Sequence, residues 1–179
     1  MRIASGIVMA VAAALFAGCA TAPEKKESKA VLKAQVDEAI AAFKAKDSGI
    51  DRFFSEARGY AVLPKVFKGA FWLGGAYGQG EVYEKGTMVG YCSMSQATLG
   101  FSFGGEFFRE IIFFHDEEAL DKFRTGEYTF SAQAMAVALD IGVAAKADYK
   151  DGMAVFVMTD KGLMVDASLG GQKFKYLAK

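Results

Sequence analysis

A stretch rich in glycine and aromatic residues, from Gly69 to Gly105, places the strongest constraint on the fold. It holds 10 of the 20 glycines of the 179-residue chain within 37 residues. Large apolar side chains, such as Trp72, Tyr77 and Phe101, recur between these glycines. Flexible linkers do not carry so many large apolar groups. The stretch therefore predicts short β-strands with glycine at bends, bulges and close contacts.

The segment before this stretch has the period of an amphipathic helix. Apolar residues recur there at steps of three and four: Leu32, Val36, Ala39, Ile40 and Phe43. This spacing predicts a helix from Ala30 to Asp47 that packs on the domain, with Ser28 as its cap. A surface helix at lipid headgroups is the alternative, and the mixed charges of the polar face disfavour it. A second, short helix is expected over Ile50–Ala57.

Short strands and tight turns are predicted on both sides of the glycine-rich stretch. A strand begins at Gly59 and ends at Pro64, because proline cannot donate to a ladder. Glu84-Lys85-Gly86 predicts a hairpin turn. A second hairpin is predicted at Asp160-Lys161-Gly162, between two apolar strands, and Gln172–Tyr176 is expected to form the last strand.

Two further segments carry strong apolar patterns. Phe113 and Phe114 must point to opposite faces of a strand, which predicts burial on both sides, with helices covering one. Asp116 then predicts the cap of a short helix that ends near Gly126. Over Ser131–Val143, alanine content favours a helix, but strict alternation of small and larger residues favours a strand, which we prefer.

The N-terminus has the features of a targeting segment. Met1-Arg2 is positively charged, and Ile3–Phe16 is a run of 14 uncharged residues. A helix needs about 20 apolar residues to span a bilayer, so this run predicts the core of a signal peptide over residues 1–18. Residues 19–29 are small and polar and are expected to form a tether to the domain at 30–179.

Leu15-Phe16-Ala17-Gly18-Cys19 resembles the lipobox of bacterial lipoproteins. The resemblance implies that Cys19 receives a diacylglycerol, that the chain is cut before it, and that the new amino group is acylated, for example with palmitate. Ala20 replaces the Asp that retains such proteins at the inner membrane. The expected location is therefore the cell envelope, at the periplasmic face of the outer membrane. An ordinary secretory signal with an incidental Cys19 is the alternative.

Several motifs in one order resemble the SYLF domain family. They comprise Ala57–Phe71 (ARGYAVLPKVFKGAF), the glycine blocks Gly74–Gly80 and Leu99–Gly105, the segment Ala119–Phe123, and Asp160–Leu169 (DKGLMVDASL). The resemblance covers residues 50–176. Two segments depart from the family pattern: Gly90–Gln96 lacks the usual Trp and Pro, and Leu139–Val143 replaces a Gly-Pro-Val-Gly-Arg sequence.

This resemblance implies a lipid-binding module. Eukaryotic members bind phosphoinositides and organise actin, whereas bacterial members are commonly envelope lipoproteins, so only a general lipid or membrane ligand is carried over. By position, the basic and apolar cluster of the family corresponds to Lys65, Val66, Phe67 and Lys68. Phospholipid headgroups or acyl chains are the expected ligands, and the sequence names no protein partner.

Charge and composition argue against several other functions. Lysine and arginine total 21, and aspartate and glutamate total 21, so no basic excess favours nucleic acid. One histidine and two cysteines cannot form a His/Cys zinc site or a disulfide framework. Cys92 as a nucleophile and His115 as its general base form only a weak catalytic candidate, because nothing in the sequence orients the histidine. The chain is expected to be no enzyme and to have no cofactor.

Three remaining candidates have structural interpretations. Gly74–Gly80 lacks the Gly-Lys-Ser/Thr ending and the helix of a phosphate-binding loop. Asp116, Glu117 and Glu118 can bind a cation, but carboxylates in a first helical turn are explained by the helix dipole. Asp140 stands in an apolar segment, where a rim position and a salt bridge are both open interpretations.

These observations predict an α+β fold, with N-terminal helices packed on a strongly bent, mainly antiparallel, glycine-rich sheet that approaches a barrel-like shape. The predicted function is that of a non-catalytic, lipid-anchored envelope protein whose SYLF-like domain binds lipid or a membrane surface. A structural or protein-interaction module of the envelope, without lipid binding, is the alternative.

Overall fold

The computed structural model describes residues 22–23, 25–126, 129–131 and 136–179. Helix α1 spans Lys26–Lys46 and buries Leu32, Val36, Ala39 and Phe43, which form the predicted apolar stripe. It begins four residues before the predicted Ala30. Ser28 therefore lies inside the helix, and the predicted cap is wrong: the residue at the N-cap is Lys25, whose side chain makes no capping hydrogen bond.

A 3-10 turn at Ser48–Ile50 leads into α2, the predicted short helix, which spans Asp51–Glu56. The carboxylate of Asp47 accepts hydrogen bonds from the backbone N–H of Gly49 at 3.0 Å and of Ala144 at 2.8 Å. These bonds lower the pKa of Asp47. Asp47 thereby joins the end of α1 to a loop 97 residues further along the chain.

Three very long strands replace the short strands that the sequence predicted. They are β1 (Gly59–Glu84), β2 (Thr87–Phe114) and β5 (Met153–Ala178). Two short strands, β3 (Thr129–Ser131) and β4 (Ala136–Ala138), pair with β5. The order is β1-β2-β5-β3, and every pairing is antiparallel except that of β4 with β5.

The turn between β1 and β2 is the predicted hairpin. Glu84 pairs with Thr87, and Lys85 and Gly86 have φ values of 48° and 76°. Two positive φ values are those of a two-residue turn whose twist matches that of the flanking strands.

Two predicted interruptions of strands are wrong. β1 continues through Pro64 with a shift of register between Leu63 and Val66, which an edge strand tolerates because its outer side needs no ladder donor. β5 also continues through the predicted hairpin, and Lys161 lies opposite Phe107. Asp160 stands instead at an irregularity of the β2–β5 register, so turn-forming residues here mark a bulge.

The long strands bend so strongly that the two halves of β1 meet. The N–H of Lys85 donates to the carbonyl of Arg58 at 3.2 Å, although the two residues flank opposite ends of the strand. A Cβ added at Gly78 would lie 2.7 Å from Cγ2 of Val66, and one added at Gly80 would strike the carbonyl of Val62. Glycine is required at these two places because backbone and side chain approach too closely for a Cβ.

Bending creates two cores, one on each face of the sheet. The inner core lies between the folded halves of the strands and contains Leu63, Val82, Met94, Ile112 and Phe174. The outer core lies under α1 and contains residues of α1 together with Val62, Tyr83, Ile111 and Phe156.

Phe113 and Phe114 confirm that β2 is buried on both faces. Phe113 belongs to the outer core and Phe114 to the inner core, and neither side chain is exposed. The expectation that helices cover one face is incomplete, because α1 covers the outer face while α3 packs Leu120 and Phe123 against the inner core.

Helix α3 spans Glu117–Thr125 between the predicted signals. The carboxylate of Asp116 accepts from the N–H of Ala119 at 2.9 Å, and Gly126 ends the helix with a φ of 74°. Within Ser131–Val143, residue 131 and residues 136–138 are strand, as the preferred interpretation predicts, and residues 132–135 lie outside the described part. Residues 139–143 form a loop and a turn, so the strand is shorter than predicted.

The predicted α+β class is confirmed. The sheet is not closed by hydrogen bonds among the described strands, because β1 pairs only with β2 and stands at the edge. In the described part of the chain, no helix is both long enough and apolar enough to cross a membrane.

Candidate functional site

The structure divides the predicted cluster at residues 65–68 between two faces. Lys65 is exposed, and Phe67 keeps half of its surface exposed. Val66 has no exposed surface and packs in the inner core. Lys68 is half-buried and lies opposite Glu106 on β2. Because neighbouring residues of a strand point to opposite faces, Val66 cannot share a binding surface with Lys65 and Phe67.

Phe107 completes the surface that Lys65 and Phe67 begin. The ring centroids of Phe67 and Phe107 are 5.2 Å apart, and Nζ of Lys65 lies 4.7 Å from the centroid of Phe107. A Cβ added at Gly69 would lie 3.1 Å from Cζ of Phe67, so the ring lies across the Gly69–Gly105 pair. The result is an aromatic pair, exposed at Phe67 and half-exposed at Phe107, with an ammonium group above the ring of Phe107.

Arg109 lies deeper beside this surface and is held by two carboxylates. Its Nε is 2.7 Å from Oδ2 of Asp160, and its Nη2 is 3.1 Å from Oε1 of Glu38 on α1. Partial burial acts against the charge of Arg109, but the two carboxylates outweigh burial and raise its pKa. Arg109 therefore joins α1 to the sheet, and its charge is already neutralised.

Two adjoining cavities, which together we call the α1 groove, open beside these residues. Their volumes are about 350 Å³ and about 260 Å³. Both are lined by Gln35 of α1 and by Pro64, Lys65 and Phe107 of the sheet. Glu38, Arg109 and Asp160 line the first cavity, whereas Leu32, Phe67 and Tyr77 line the second.

This arrangement suits an amphipathic anion. Among the described residues that line the α1 groove, Lys65 is the cation without a carboxylate partner. Apolar surface from Leu32, Phe67 and Phe107 lies next to it. An anionic headgroup can bind Lys65 while an acyl chain contacts the rings.

Sequence reasoning missed Phe107, Arg109 and Glu38 as parts of this site. Phe107 belongs to the strand that Phe113 and Phe114 predict to be buried on both faces, so the sequence gives no reason to expect an exposed ring there. Phe107 is half-exposed and lines the α1 groove together with Gln35 of α1. The alternation of β2 carries the signal, since it places Phe107 and Arg109 on one face and Phe108 on the other.

The structure does not bring Cys92 and His115 together as a catalytic pair. Cys92 is fully buried in the inner core, and burial raises the pKa of its thiol. His115 is exposed at the end of β2, where its ring lies 4.7 Å from that of Tyr149. A buried protonated thiol is not a nucleophile. Cys19 lies outside the described residues.

The acidic candidates have partners within the protein. Asp116 caps α3, Glu117 pairs with Arg58, and Glu118 pairs with Lys122 at 2.6 Å. Asp140 forms the salt bridge that the sequence left open, with Nζ of Lys46 at 2.9 Å, and this contact lowers its pKa. Within the described ranges, no group of three or more His, Cys, Asp or Glu is placed to hold a metal ion.

Comparisons with known proteins support the predicted resemblance. The family model described as "Ysc84: Las17-binding protein actin regulator" matches residues 95–176. The chain is also similar to "Beta cell expansion factor A" of Aeromonas veronii, at 28% identity over 150 residues. That alignment covers 83% of this chain and 57% of the relative, so the chain spans little more than half of the relative's length. The family model covers β2 from Ser95 onward, together with β3, β4 and β5 up to Tyr176, so this part of the chain is similar to the Ysc84 (SYLF) family.

Proposed function

We propose that this protein is a non-catalytic, lipid-anchored protein of the cell envelope whose SYLF domain binds lipid at a membrane surface. The observation that carries the proposal is the α1 groove. There, Lys65 has no carboxylate partner among the described residues and stands over the half-exposed ring of Phe107, which contacts the exposed ring of Phe67.

An anchor at Cys19 is the second part of the proposal. Its support is the sequence alone, in which an uncharged run of 14 residues ends at Leu15-Phe16-Ala17-Gly18-Cys19. Several acyl chains on one residue give stable attachment, since each buried methylene contributes about 0.8 kcal/mol. The absence of Asp at position 20 supports a location at the periplasmic face of the outer membrane.

A protein-interaction function is the second candidate. It is favoured by the matching family, whose description as a Las17-binding protein and actin regulator names a protein-binding function. On this alternative, the exposed rings of Phe67 and Phe107 would contact a protein partner of the envelope rather than acyl chains.

Vesicle co-sedimentation separates these candidates. The mature chain, from residue 19 and with Cys19→Ala to prevent acylation, is mixed with vesicles of phosphatidylcholine or of phosphatidylcholine with phosphatidylglycerol. We expect binding that falls about tenfold in Lys65→Glu/Phe67→Ala, because the change removes one cation and one apolar side chain. Lys150→Glu/Ile141→Ala is the matched control, since both residues are exposed and lie outside the α1 groove.

The outcomes are distinct. If the unacylated chain stays in the supernatant with both vesicle types, lipid binding by the domain is refuted and the protein-interaction function is favoured. If the two double variants bind equally, the domain binds lipid elsewhere. The anchor is tested by incorporation of a fatty-acid analogue into the wild-type chain and into Cys19→Ala, and equal labelling would refute acylation at Cys19.

A further inference from the structure

Six lysines stand at the end of the domain where α1 begins, and together we call them the terminal lysine face. They are Lys25, Lys26, Lys29, Lys173, Lys175 and Lys179. Nζ of Lys29 lies 5.1 Å from the ring centroid of Tyr91 on β2, and Tyr91 lies opposite Leu177 on β5. Side chains of directly opposed residues share one face of a sheet. The first turn of α1 therefore covers the face that carries Leu177.

Alternation along β5 extends this face. Lys175 and Lys173 lie two and four residues before Leu177, so they point to the same side of the sheet, and both are exposed. The N–H of Lys179 donates to the carbonyl of Val89 at 3.0 Å, which holds the C-terminus beside the same strand. The first turn of α1 and the lysines of β5 thus lie on the same face of the sheet.

The terminal lysine face differs from the rest of α1 in its ion pairs. Further along the helix, Lys33 pairs with Asp37, Lys44 with Asp51 and Lys46 with Asp140. Among the described residues, none of the six lysines of the face has a carboxylate within ion-pair distance. The acidic groups nearest in sequence are Glu24, which directly precedes Lys25, Glu27 in the first turn of α1, and the C-terminal carboxylate.

The positive charges of three of these lysines lie at the positive end of the α1 dipole, which is an unfavourable position. Lys25, Lys26 and Lys29 surround the first turn of α1, whose exposed N–H groups carry partial positive charge. A cation at this end of a helix is unfavourable unless an anion lies nearby. An anionic surface in contact with this end of the domain would supply the missing counter-charge.

The short length of chain between Cys19 and α1 indicates that the anionic surface is the bilayer that holds the proposed anchor. Lys26 lies seven residue steps after Cys19, and seven steps span at most about 25 Å. The opposite end of α1 is about 30 Å away, since its 21 residues rise 1.5 Å each. If Cys19 is acylated, the end of the domain that carries the terminal lysine face is therefore held close to the bilayer.

We infer that the terminal lysine face is a second, electrostatic contact with the anionic headgroups of the membrane that holds Cys19. This inference rests on the proposed anchor. It assigns the domain one orientation, with the start of α1 and the end of β5 toward the bilayer and the loop at 140–150 away from it. The exposed side chains of Val31 and Leu177 add apolar contact among the lysines.

Charge reversal at matched sites tests the electrostatic contact. In the mature Cys19→Ala chain, Lys173→Glu/Lys175→Glu is compared with Lys146→Glu/Lys150→Glu, which makes the same change in net charge at the other end of α1. With vesicles containing phosphatidylglycerol at low salt, we expect the first variant to bind about tenfold or more weakly than wild type, and the second to bind as wild type does. Equal melting temperatures establish that both variants are folded.

The outcomes separate this inference from the proposed function. One outcome is that both lysine variants bind as wild type does and only Lys65→Glu/Phe67→Ala is impaired. In that case the α1 groove binds lipid, and the terminal lysine face is refuted as a bilayer contact. An acidic protein or polymer would then be the partner of its lysines. If only Lys173→Glu/Lys175→Glu is impaired, the terminal lysine face is supported as a bilayer contact, and lipid binding by the α1 groove is refuted. If the unaltered chain binds no vesicles, both fail.

Orientation is measured directly on the acylated protein. A dye is attached at Lys175→Cys or at Lys150→Cys in the acylated chain bound to vesicles, and energy transfer to a labelled lipid is recorded. Cys92 is buried and does not compete for the dye. We expect higher transfer efficiency from position 175 than from position 150. Equal efficiencies, or a higher value at position 150, would overturn the assigned orientation even if Cys19 is acylated.

Discussion

Gln172 donates a hydrogen bond from Nε2 to Oε2 of Glu110, at 3.1 Å, inside the inner core. Both side chains are almost completely buried, and no described residue provides a partner for Oε1 of Glu110. Burial raises the pKa of Glu110 to about 7, against which the hydrogen bond from Gln172 acts only in part. A carboxyl group is thus enclosed between the folded halves of the long strands.

This pKa predicts a specific dependence of stability on pH. The unfolded chain ionises Glu110 near its ordinary pKa of 4.5, whereas the folded protein holds the proton until about pH 7. Wild-type stability therefore falls as pH rises between these values and does not recover above them. Glu110→Gln removes this loss, so its advantage over wild type should grow by about 3 kcal/mol between pH 4.5 and 7.

Urea unfolding of both proteins from pH 4 to pH 8 measures this difference. Glu118→Gln is the control, because Glu118 is exposed. A constant difference between Glu110→Gln and wild type across this range would show that Glu110 ionises normally in the fold.

The close approach at Gly80 predicts a large loss of stability on substitution. A Cβ at this position would strike the carbonyl of Val62 in the other half of β1. Gly80→Ala should lower the free energy of unfolding by about 2 to 3 kcal/mol, since the bent strand must open to admit the methyl group. At Gly75 an added Cβ would lie 3.4 Å from the carbonyl of Gln96, so Gly75→Ala should cost less than about 1 kcal/mol. Denaturant unfolding compares the two, and similar losses would contradict this account.

The ion pair between Glu84 and Arg124 predicts that substitution of Glu84 lowers stability, with a pH dependence opposite to that of Glu110. Oε2 of Glu84 accepts from Nη2 of Arg124 at 2.6 Å, and this bond lowers the pKa of Glu84. The stabilisation is present above the ordinary pKa of 4.5 and is lost as pH falls through the lowered value. Glu84→Gln should therefore cost about 1 kcal/mol at pH 7 and almost nothing near pH 3. Thermal unfolding at the two pH values gives the comparison.

Burial of Cys92 predicts that its thiol is unreactive in the folded protein. Its side chain has no exposed surface, and burial raises its pKa, so no thiolate is available at neutral pH. A maleimide should label Cys92 in denaturant and leave it unmodified under native conditions for as long as the domain stays folded. Rapid native labelling, measured by mass spectrometry on the Cys19→Ala chain, would show that the inner core opens locally.

The candidate site was only partly accessible to sequence reasoning. The family resemblance directed attention to residues 65–68, and Lys65 and Phe67 do line the α1 groove. Val66 was included because the four residues are contiguous, but a strand turns every second side chain away from a given surface. Phe107, Arg109 and Glu38 come from other elements, and no local pattern relates positions that the chain brings together only across the sheet and α1.

The sequence by itself determined the features that depend on neighbouring residues. These are the buried stripe of α1, the Asp116 cap and the Gly126 end of α3, the turn at Lys85-Gly86, and the burial of Phe113 and Phe114 on opposite faces. Each follows from the period of a helix or strand, or from the conformations that a residue permits. The tertiary structure alone decided that three strands run unbroken past Pro64 and Asp160. It also decided that β1 bends until Gly80 meets Val62, and that Lys29 and Lys175 share one surface. These outcomes depend on pairing and packing between residues far apart in the chain, which the local pattern of neither partner specifies.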